Sequence, residues 1–217
     1  FDSYNWRIIV ADNGSNDGTL DLLKSIKDVY KNQFDYIRLD QRGRGRALKR
    51  AWLEGIADIV CYMDVDMSTN LNDLKLLVTA LDFEGYDVAI GSRLVEGSIV
   101  EERSTKREFI SRAYNLIIRT LFSVQFRDAQ CGFKGLTRRA VIDLLPLVED
   151  PGWFFDTELL LLAERNGYKI KEVPVRWTDD PDSRVKVLST ARKDLQGLIR
   201  MKLWGLKRAK ERLRAKP

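Results

Sequence analysis

The chain reads as an α/β protein with a mostly parallel sheet and helices on both faces, and three observations predict this. Short apolar runs alternate with stretches of helical periodicity. The runs close on Gly-rich or Asp-rich breaks, and neither an internal repeat nor a low-complexity linker interrupts the alternation. Strands alternating with helices imply βα units joined by right-handed crossovers. In an open sheet of that kind, ligands collect at the carboxyl ends of the strands.

The first strand falls over 6–11, where Trp6, Ile8, Ile9, Val10 and Ala11 are apolar enough for burial on both faces. A parallel sheet ordinarily sets another strand beside such an element, so a preceding strand and helix that this sequence lacks are expected. The run closes on Asp12-Asn13-Gly14-Ser15-Asn16-Asp17-Gly18-Thr19, whose last residues suit the cap of a helix over 20–30. Asp12 and Asp17 can reach a nucleotide base or ribose from that loop, or simply fold an Asx-rich turn. A strand over 36–39 leads into Arg42-Gly43-Arg44-Gly45-Arg46 and a helix ending near Gly55. Backbone N–H groups and guanidinium forks at a helix start suit a diphosphate. The Gly-Lys-Ser/Thr of a P-loop is absent, which argues against kinase or ATPase chemistry.

A central strand over 59–63 is the pivot, since it delivers Asp64 and Asp66 to its carboxyl end. Residues two apart on a strand share a face, so both carboxylates can approach one hard cation while Val65 turns away. Mg²⁺ or Mn²⁺ held this way takes the rest of its shell from water or a nucleotide diphosphate. An isolated Asp-x-Asp is more often a solvated turn, so its neighbours have to decide. A helix over 71–81 and a strand over 87–90, closed by Gly91-Ser92-Arg93, continue the alternation. The helix over 106–122 is apolar around a broad arc, from Phe109 and Ile110 to Leu116, Ile117 and Ile118, which suits burial on one side and lipid contact on another, or equally well ordinary core packing.

At 217 residues, with 44% hydrophobic and 32% charged, the chain is large enough for a core of its own. It contains no run of 18 apolar residues. Two cysteines, Cys61 and Cys131, are too few for a disulfide framework and suit a reducing compartment. The absence of histidine removes Ser-His and Cys-His nucleophile systems and leaves carboxylates as metal ligands. The net charge of +5 hides an asymmetry: over 184–217, twelve Lys/Arg oppose only Asp194 and Glu211, so the tail carries +10 and the rest −5. Leu188, Ala191, Leu195, Leu198, Ile199, Leu203 and Leu206 form a stripe there, with Trp204 beside it and Arg192, Lys193, Arg200 and Lys202 around it. Such a basic amphipathic helix reads as an interfacial membrane element or, more plainly, as a solvated surface helix.

Taken in order, the loop at 12–19, Gly43 to Ala47, Asp64-Val65-Asp66 and Gly91-Ser92-Arg93 resemble the family 2 glycosyltransferases of GT-A fold. Arg127-Asp128-Ala129-Gln130-Cys131-Gly132-Phe133-Lys134, Trp153-Phe154-Phe155-Asp156-Thr157-Glu158-Leu159 and Val173-Pro174-Val175-Arg176-Trp177-Thr178 look like the polyprenyl-phosphate sugar synthases. Within that group the chain resembles the dolichyl-phosphate β-glucosyltransferases first and the mannose synthases next, over nearly its whole length. The resemblance implies a metal site at Asp64 and Asp66, with Ser68 where the mannose synthases carry Gln. It implies donor binding by Asp12, Asn13, Arg44, Asp64 and Gln130, with Arg184 and Lys186 in a basic loop over the diphosphate, although Ser-Arg here replaces the usual Ser-Lys. The acceptor phosphate falls to Arg93, Arg107 and Ser111, and catalytic roles to Asp66, Arg93, Asp128 and Asp156. The family's Pro-x-Tyr-Asn-Glu element is not present, in keeping with the expected missing strand.

The implied reaction needs no histidine. A phosphate monoester has a second pKa near ~6 and is already anionic at neutral pH, so the acceptor requires positioning and not deprotonation. In-line attack on the anomeric carbon expels a nucleoside diphosphate whose charge a metal and arginines stabilise, and it inverts the centre. Asp128, Gln130, Asp156 and Glu158 are candidates for holding sugar hydroxyls, and Asp128 or Asp156 for a base if the acceptor is a hydroxyl; packing and capping are the plain alternatives. The expected protein is thus a metal-dependent transferase from UDP-glucose, or else GDP-mannose, to dolichyl or another polyprenyl phosphate. Residues 1–183 form its catalytic domain and 184–217 a tail on the cytoplasmic face of a membrane. A transferase to a saccharide hydroxyl is a second reading, weakened by the lack of a Gln-x-x-Arg-Trp segment. A nucleic-acid-binding module is a third, weakened by the acidic body and the lack of a stacking motif, so no nucleic acid partner is expected.

Overall fold

The computed structural model describes residues 3–102, 104–179 and 187–214. In its amino-terminal part, strand β1 (Ile8–Asp12), helix α1 (Thr19–Tyr30), strand β2 (Phe34–Arg38) and helix α2 (Arg44–Glu54) lead to strand β3 (Ile59–Met63). A 3₁₀ turn at Leu71–Asp73 opens helix α3 (Leu74–Asp82), followed by β4 (Val88–Ser92), β5 (Ile99–Glu101) and helix α4 (Thr105–Phe122). The remainder is β6 (Phe133–Thr137), α5 (Arg138–Leu144), α6 (Phe155–Arg165), β7 (Ile170–Pro174), β8 (Arg176–Thr178), α7 (Val187–Arg200) and α8 (Leu206–Arg214). A π-helical turn at Met201–Gly205 joins the last two.

Among the described residues, β1 and β2 form a parallel pair, β5 and β8 another, and the main sheet has the order β3-β6-β4-β7. β4 and β7 are parallel, while β6 runs antiparallel to both β3 and β4. The expected central strand, β3, therefore lies at one side of this sheet with β6 as its paired neighbour.

Side-chain alternation along the strands divides the core in two. Val88 and Ile90 of β4, Leu136 of β6 and Tyr62 of β3 face one cluster, with Trp52 of α2, Ile118 and Phe122 of α4, Leu144 of α5 and Phe155 and Leu159 of α6. Ala89 and Phe133 face the other, packed on Leu77, Ala80 and Leu81 of α3. Helices thus cover both faces of the sheet, as the alternation of apolar runs implies. Asp64 and Asp66 follow β3 directly, in the turn that closes it.

Two expectations need correction. β1 is not buried on both faces: Ile8 is 54% exposed and Ile9 36%, and of its five residues only Asp12 is buried. An apolar run reports a tendency to be covered, and in the described structure β1 is covered along one edge by β2. The tail stripe is also rotated from the expected one. Leu198, Met201 and Ala209 pack into the main core, Gly197 lies so close to Phe154 that a Cβ would come within 2.4 Å of its ring, and Leu195, Ile199, Leu203 and Trp204 are exposed. The side chain of Leu188 lies outside the described residues.

Candidate active site

β3 ends where its apolar run ends, and the chain turns at once. Asp64 N donates to Gly132 O at 3.1 Å and Met67 N to Asp64 O at 3.1 Å, with Met67 held at φ 55°, a left-handed conformation uncommon for a side chain of its kind. Asp66 Oδ1 accepts the Ser68 N–H at 3.0 Å. This turn brings both carboxylates to one cleft, lined by Asp64, Asp66, Ser68, Thr69, Arg93, Gln130, Gly132 and Trp177. Gly132 makes room for the Asp64 carboxylate in its present position: a Cβ there would fall 1.8 Å from Asp64 Oδ2.

The carboxylate pair fits a divalent cation. Mg²⁺-like ions are commonly held by one or two carboxylates plus substrate phosphate, and no cluster of three or more His, Cys, Asp or Glu exists among the described residues to offer a full protein cage. Asp64 is held in readiness by Arg44, whose Nη2 lies 2.7 Å from Asp64 Oδ1 and whose Nη1 lies 2.9 Å from Asp156 Oδ2. The guanidinium is stacked between the rings of Tyr62 and Trp153, at 5.2 and 4.9 Å. Burial raises the Asp64 pKa while the Arg44 charge works against that rise.

Asp128 and Asp156, both expected at the site, are each engaged in buried ion pairs. Asp156 is 1% exposed and accepts from Arg44, from Lys134 Nζ at 2.9 Å and from the Tyr62 hydroxyl. Burial opposes its ionisation, but Lys134 and Arg44 outweigh it and lower the pKa. Asp128 is fully buried and takes a bidentate fork from Arg93, Nε at 2.8 Å and Nη2 at 2.9 Å, together with the Arg93 backbone N–H at 3.0 Å. Burial again opposes ionisation, and Arg93 overcomes it, holding the carboxyl at about 2. In this structure both carboxylates are engaged by cations, Asp156 by Arg44 and Lys134 and Asp128 by Arg93, which also rests on the Trp177 ring at 5.1 Å. Glu158 likewise belongs to the packing: it accepts from Arg200 at 2.7 Å and from the Asp150 N–H at 2.8 Å.

The α2 start does not offer a backbone cradle. Gly43 N donates to Asn13 Oδ1 at 2.6 Å, Gly45 N to Gly152 O at 3.2 Å and Arg46 N to Pro151 O at 3.1 Å, so these donors are already engaged. Asn13 fastens the loop after β1 to α2, and the glycines permit that docking: a Cβ at Gly43 would meet Pro151 O at 2.5 Å and one at Gly45 would meet Phe155 at 2.6 Å. Asp12 is buried beside this junction, with Oδ1 accepting from Ser15 N at 3.0 Å, Arg38 3.6 Å from Oδ2, and no hydrogen bond to Oδ2 from the described residues.

Asp64, Asp66, Ser68, Arg93 and Gln130 are therefore brought together, and Arg44 joins them through Asp64. Asp12 and Asn13 stand at the ends of β1 and α2. Arg107 pairs with Asp179 at 2.6 Å, and Ser111 is buried on α4 with its hydroxyl oxygen lacking a hydrogen-bond partner among the described residues. Arg184 and Lys186 lie outside the described residues. Sequence reasoning assigned no role to Lys134 or Tyr62; a lone lysine in the apolar run Phe133-Lys134-Gly135-Leu136 was the available signal, since a buried cation requires a buried partner.

A mixed sheet covered by helices on both faces, with a two-carboxylate turn at a strand's carboxyl end, is the architecture of the GT-A glycosyltransferases. Crystal structures of glucosyl-3-phosphoglycerate synthase from Mycobacterium tuberculosis match it at a TM-score of 0.64 and 17% identity. The one in complex with phosphoglyceric acid covers 89% of this chain and 67% of that one. The one in complex with Mn²⁺, uridine diphosphate and glucosyl-3-phosphoglycerate covers 90% and 68%. The chain belongs to glycosyl transferase family 2, which matches residues 2–145. Among its relatives are glycosyltransferase AglD of Haloferax volcanii, 36% identical over 84% of this chain, and the dolichyl-phosphate beta-glucosyltransferase of Saccharomyces cerevisiae, 29% identical over 89%. The chain spans 29% of the length of the first and 63% of the second.

Proposed function

We propose that the protein moves a hexose, glucose before mannose, from a nucleotide sugar to dolichyl or another polyprenyl phosphate, with Mg²⁺ or Mn²⁺ at Asp64 and Asp66. The convergence of these two carboxylates with Arg93 on one cleft carries the reading. The bound cation supplies charge stabilisation for the departing diphosphate. Arg44, already beside Asp64, is placed to add a second positive charge as that group leaves. Asp128 holds the Arg93 guanidinium at the cleft wall for the acceptor phosphate, with Arg107 and the buried Ser111 hydroxyl on α4 as its further partners.

The acceptor assignment draws support from two sides. Relatives at about the same identity are named dolichyl-phosphate beta-glucosyltransferases in yeast, Dictyostelium and Drosophila. The two carboxylates best suited to serve as a base, Asp128 and Asp156, are locked in ion pairs, which favours an acceptor that arrives anionic over a saccharide hydroxyl. Glucose is preferred because solved neighbours carry UDP-glucose and Mn²⁺ in their crystals. One displacement converts an α-linked donor into a β-linked lipid phosphate.

A membrane surface is the proposed second partner. No helix among the described residues is long and apolar enough to cross a bilayer. Leu195, Ile199, Leu203 and Trp204 are exposed on the basic tail, and Phe109, Ile110, Leu116 and Ile117 on α4, whose end the tail meets where Lys202 Nζ donates to Leu121 O at 2.7 Å. Such apolar groups among cations suit shallow insertion from the cytoplasmic face, with each cation near anionic lipid contributing about 1 kcal/mol. The test is an assay with Mn²⁺, UDP-glucose or GDP-mannose and a short polyprenyl phosphate. Lipid-linked glucose from UDP-glucose is expected. Product from GDP-mannose alone overturns the donor, and product on a saccharide hydroxyl overturns the acceptor.

A further inference from the structure

Asp194 stands in the most basic stretch of the chain, yet it is 3% exposed. It occupies the inward face of α7, the face that carries Leu198 into the main core. Its Oδ2 accepts from Gln130 Nε2 at 2.8 Å, while Oδ1 is buried with no hydrogen-bond partner among the described residues. Burial pushes the carboxyl up to about 6, with Asp150 before α6 and Asp156 on α6 adding to the rise and Gln130 opposing it; Tyr114 of α4 feels its charge in turn. At neutral pH it is still ionised. A half-satisfied buried carboxylate is costly, and an apolar residue would extend the core at that position without penalty.

An ionised carboxylate can only accept hydrogen bonds. Gln130 must therefore turn its amide N–H₂ toward Asp194, which leaves its carbonyl oxygen and one N–H for the cleft that it lines with Asp64, Asp66 and Arg93. The backbone at Gln130 is held by other means, Ala129 N on Asn115 Oδ1 at 2.9 Å and Gln130 N on Asp128 Oδ1 at 3.3 Å, so what depends on Asp194 is the direction of the side-chain amide. We infer that Asp194 is a positioning residue for the donor sugar: it orients Gln130 so that the amide carbonyl oxygen accepts a hydroxyl of the hexose being transferred. This rests on the nucleotide-sugar reading above and adds how the sugar, as distinct from its nucleotide, is recognised.

The test compares UDP with UDP-glucose by calorimetric titration in the presence of Mn²⁺, on the wild-type protein, on Asp194→Asn and Asp194→Leu, and on the exchanged pair Gln130→Glu/Asp194→Asn, with melting curves confirming that each is folded. Loss of the acceptor predicts that Asp194→Leu binds UDP-glucose about three- to tenfold more weakly while UDP affinity stays within twofold; Asp194→Asn, whose amide can either accept from or donate to Gln130, no longer dictates its direction and loses less. In the exchanged pair the carboxylate now on the cleft side accepts from the amide now on α7 and again presents an oxygen to the cleft, so the preference for UDP-glucose returns. In Asp194→Leu, equal weakening toward UDP and UDP-glucose, or no weakening toward either, overturns the inference while leaving the donor reading intact. A wild-type protein that binds UDP but not UDP-glucose overturns the donor reading and this inference together.

Discussion

Replacing Asp194 by Asn should make the protein more stable at neutral pH and less so, by comparison, in acid. The Asp194 carboxyl is raised to about 6 in the folded chain, against ~3.9 for an unfolded Asp. A raised acid pKa means that the folded state binds the proton more tightly than the unfolded one. Its stabilising effect is complete below ~4 and is lost as pH rises through about 6. The difference between the folded and unfolded values corresponds to about 3 kcal/mol, of which about 2 kcal/mol falls between pH 4.5 and 7.5. Asn does not titrate, so the stability difference between variant and wild type should grow by about 2 kcal/mol over that interval, or roughly 4–8 °C in melting temperature for a chain of this size. The new amide N–H₂ finds no better partner than Oδ1 did, which offsets part of the gain equally at every pH, so the slope and not the offset is diagnostic. Urea unfolding of both proteins at pH 4.5, 6.0 and 7.5 measures it. A difference that stays constant with pH, or that favours the wild type increasingly as pH rises, would refute the placement of a strained carboxylate at this position.

Other substitutions probe the rest of the cleft. Gly132→Ala places a methyl 1.8 Å from Asp64 Oδ2; Asp64 must move, and Mn²⁺ affinity and turnover should both fall at least tenfold in a protein whose circular dichroism is unchanged. Asp128→Asn removes the charge partner of a guanidinium only 10% exposed; breaking such a pair costs about 3–5 kcal/mol, so denaturant midpoints should drop and the KM for lipid phosphate should rise more than that for the nucleotide sugar. Lys134→Met leaves Asp156 without its fully buried ammonium partner; the melting temperature should fall, and the loss should shrink in the double variant with Asp156→Asn, as a double-mutant cycle would show.

The parts of the molecule legible in the sequence are those where local pattern and final environment agree. β3 falls where its apolar run does, and Asp64 and Asp66 share a cleft because strand parity and a tight turn are local properties. β6 was not legible: Phe133-Lys134-Gly135-Leu136-Thr137 contains a cation and a glycine, and its antiparallel insertion between β3 and β4 depends on contacts far along the chain. The same reason explains Asp128 and Asp156. Their partners Arg93 and Arg44 lie 35 and 112 residues away, so spacing alone could not distinguish a carboxylate awaiting substrate from one already paired. Asp194 was masked by its surroundings, since a basic amphipathic stretch suggests that its charges face water. Its helical register with Leu198, Met201 and Ala209, all buried, was the overlooked sign.

The proposed transfer depends above all on a divalent cation held jointly by Asp64 and Asp66 next to a departing diphosphate. Electron paramagnetic resonance of Mn²⁺ titrated into the wild-type protein, Asp64→Asn and Asp66→Asn, each with and without UDP, measures this directly. The prediction is weak binding by the wild type alone, binding strengthened at least tenfold by UDP, and loss of that strengthening in both variants. Mn²⁺ bound equally well by all three proteins, or wild-type binding indifferent to UDP, would contradict it.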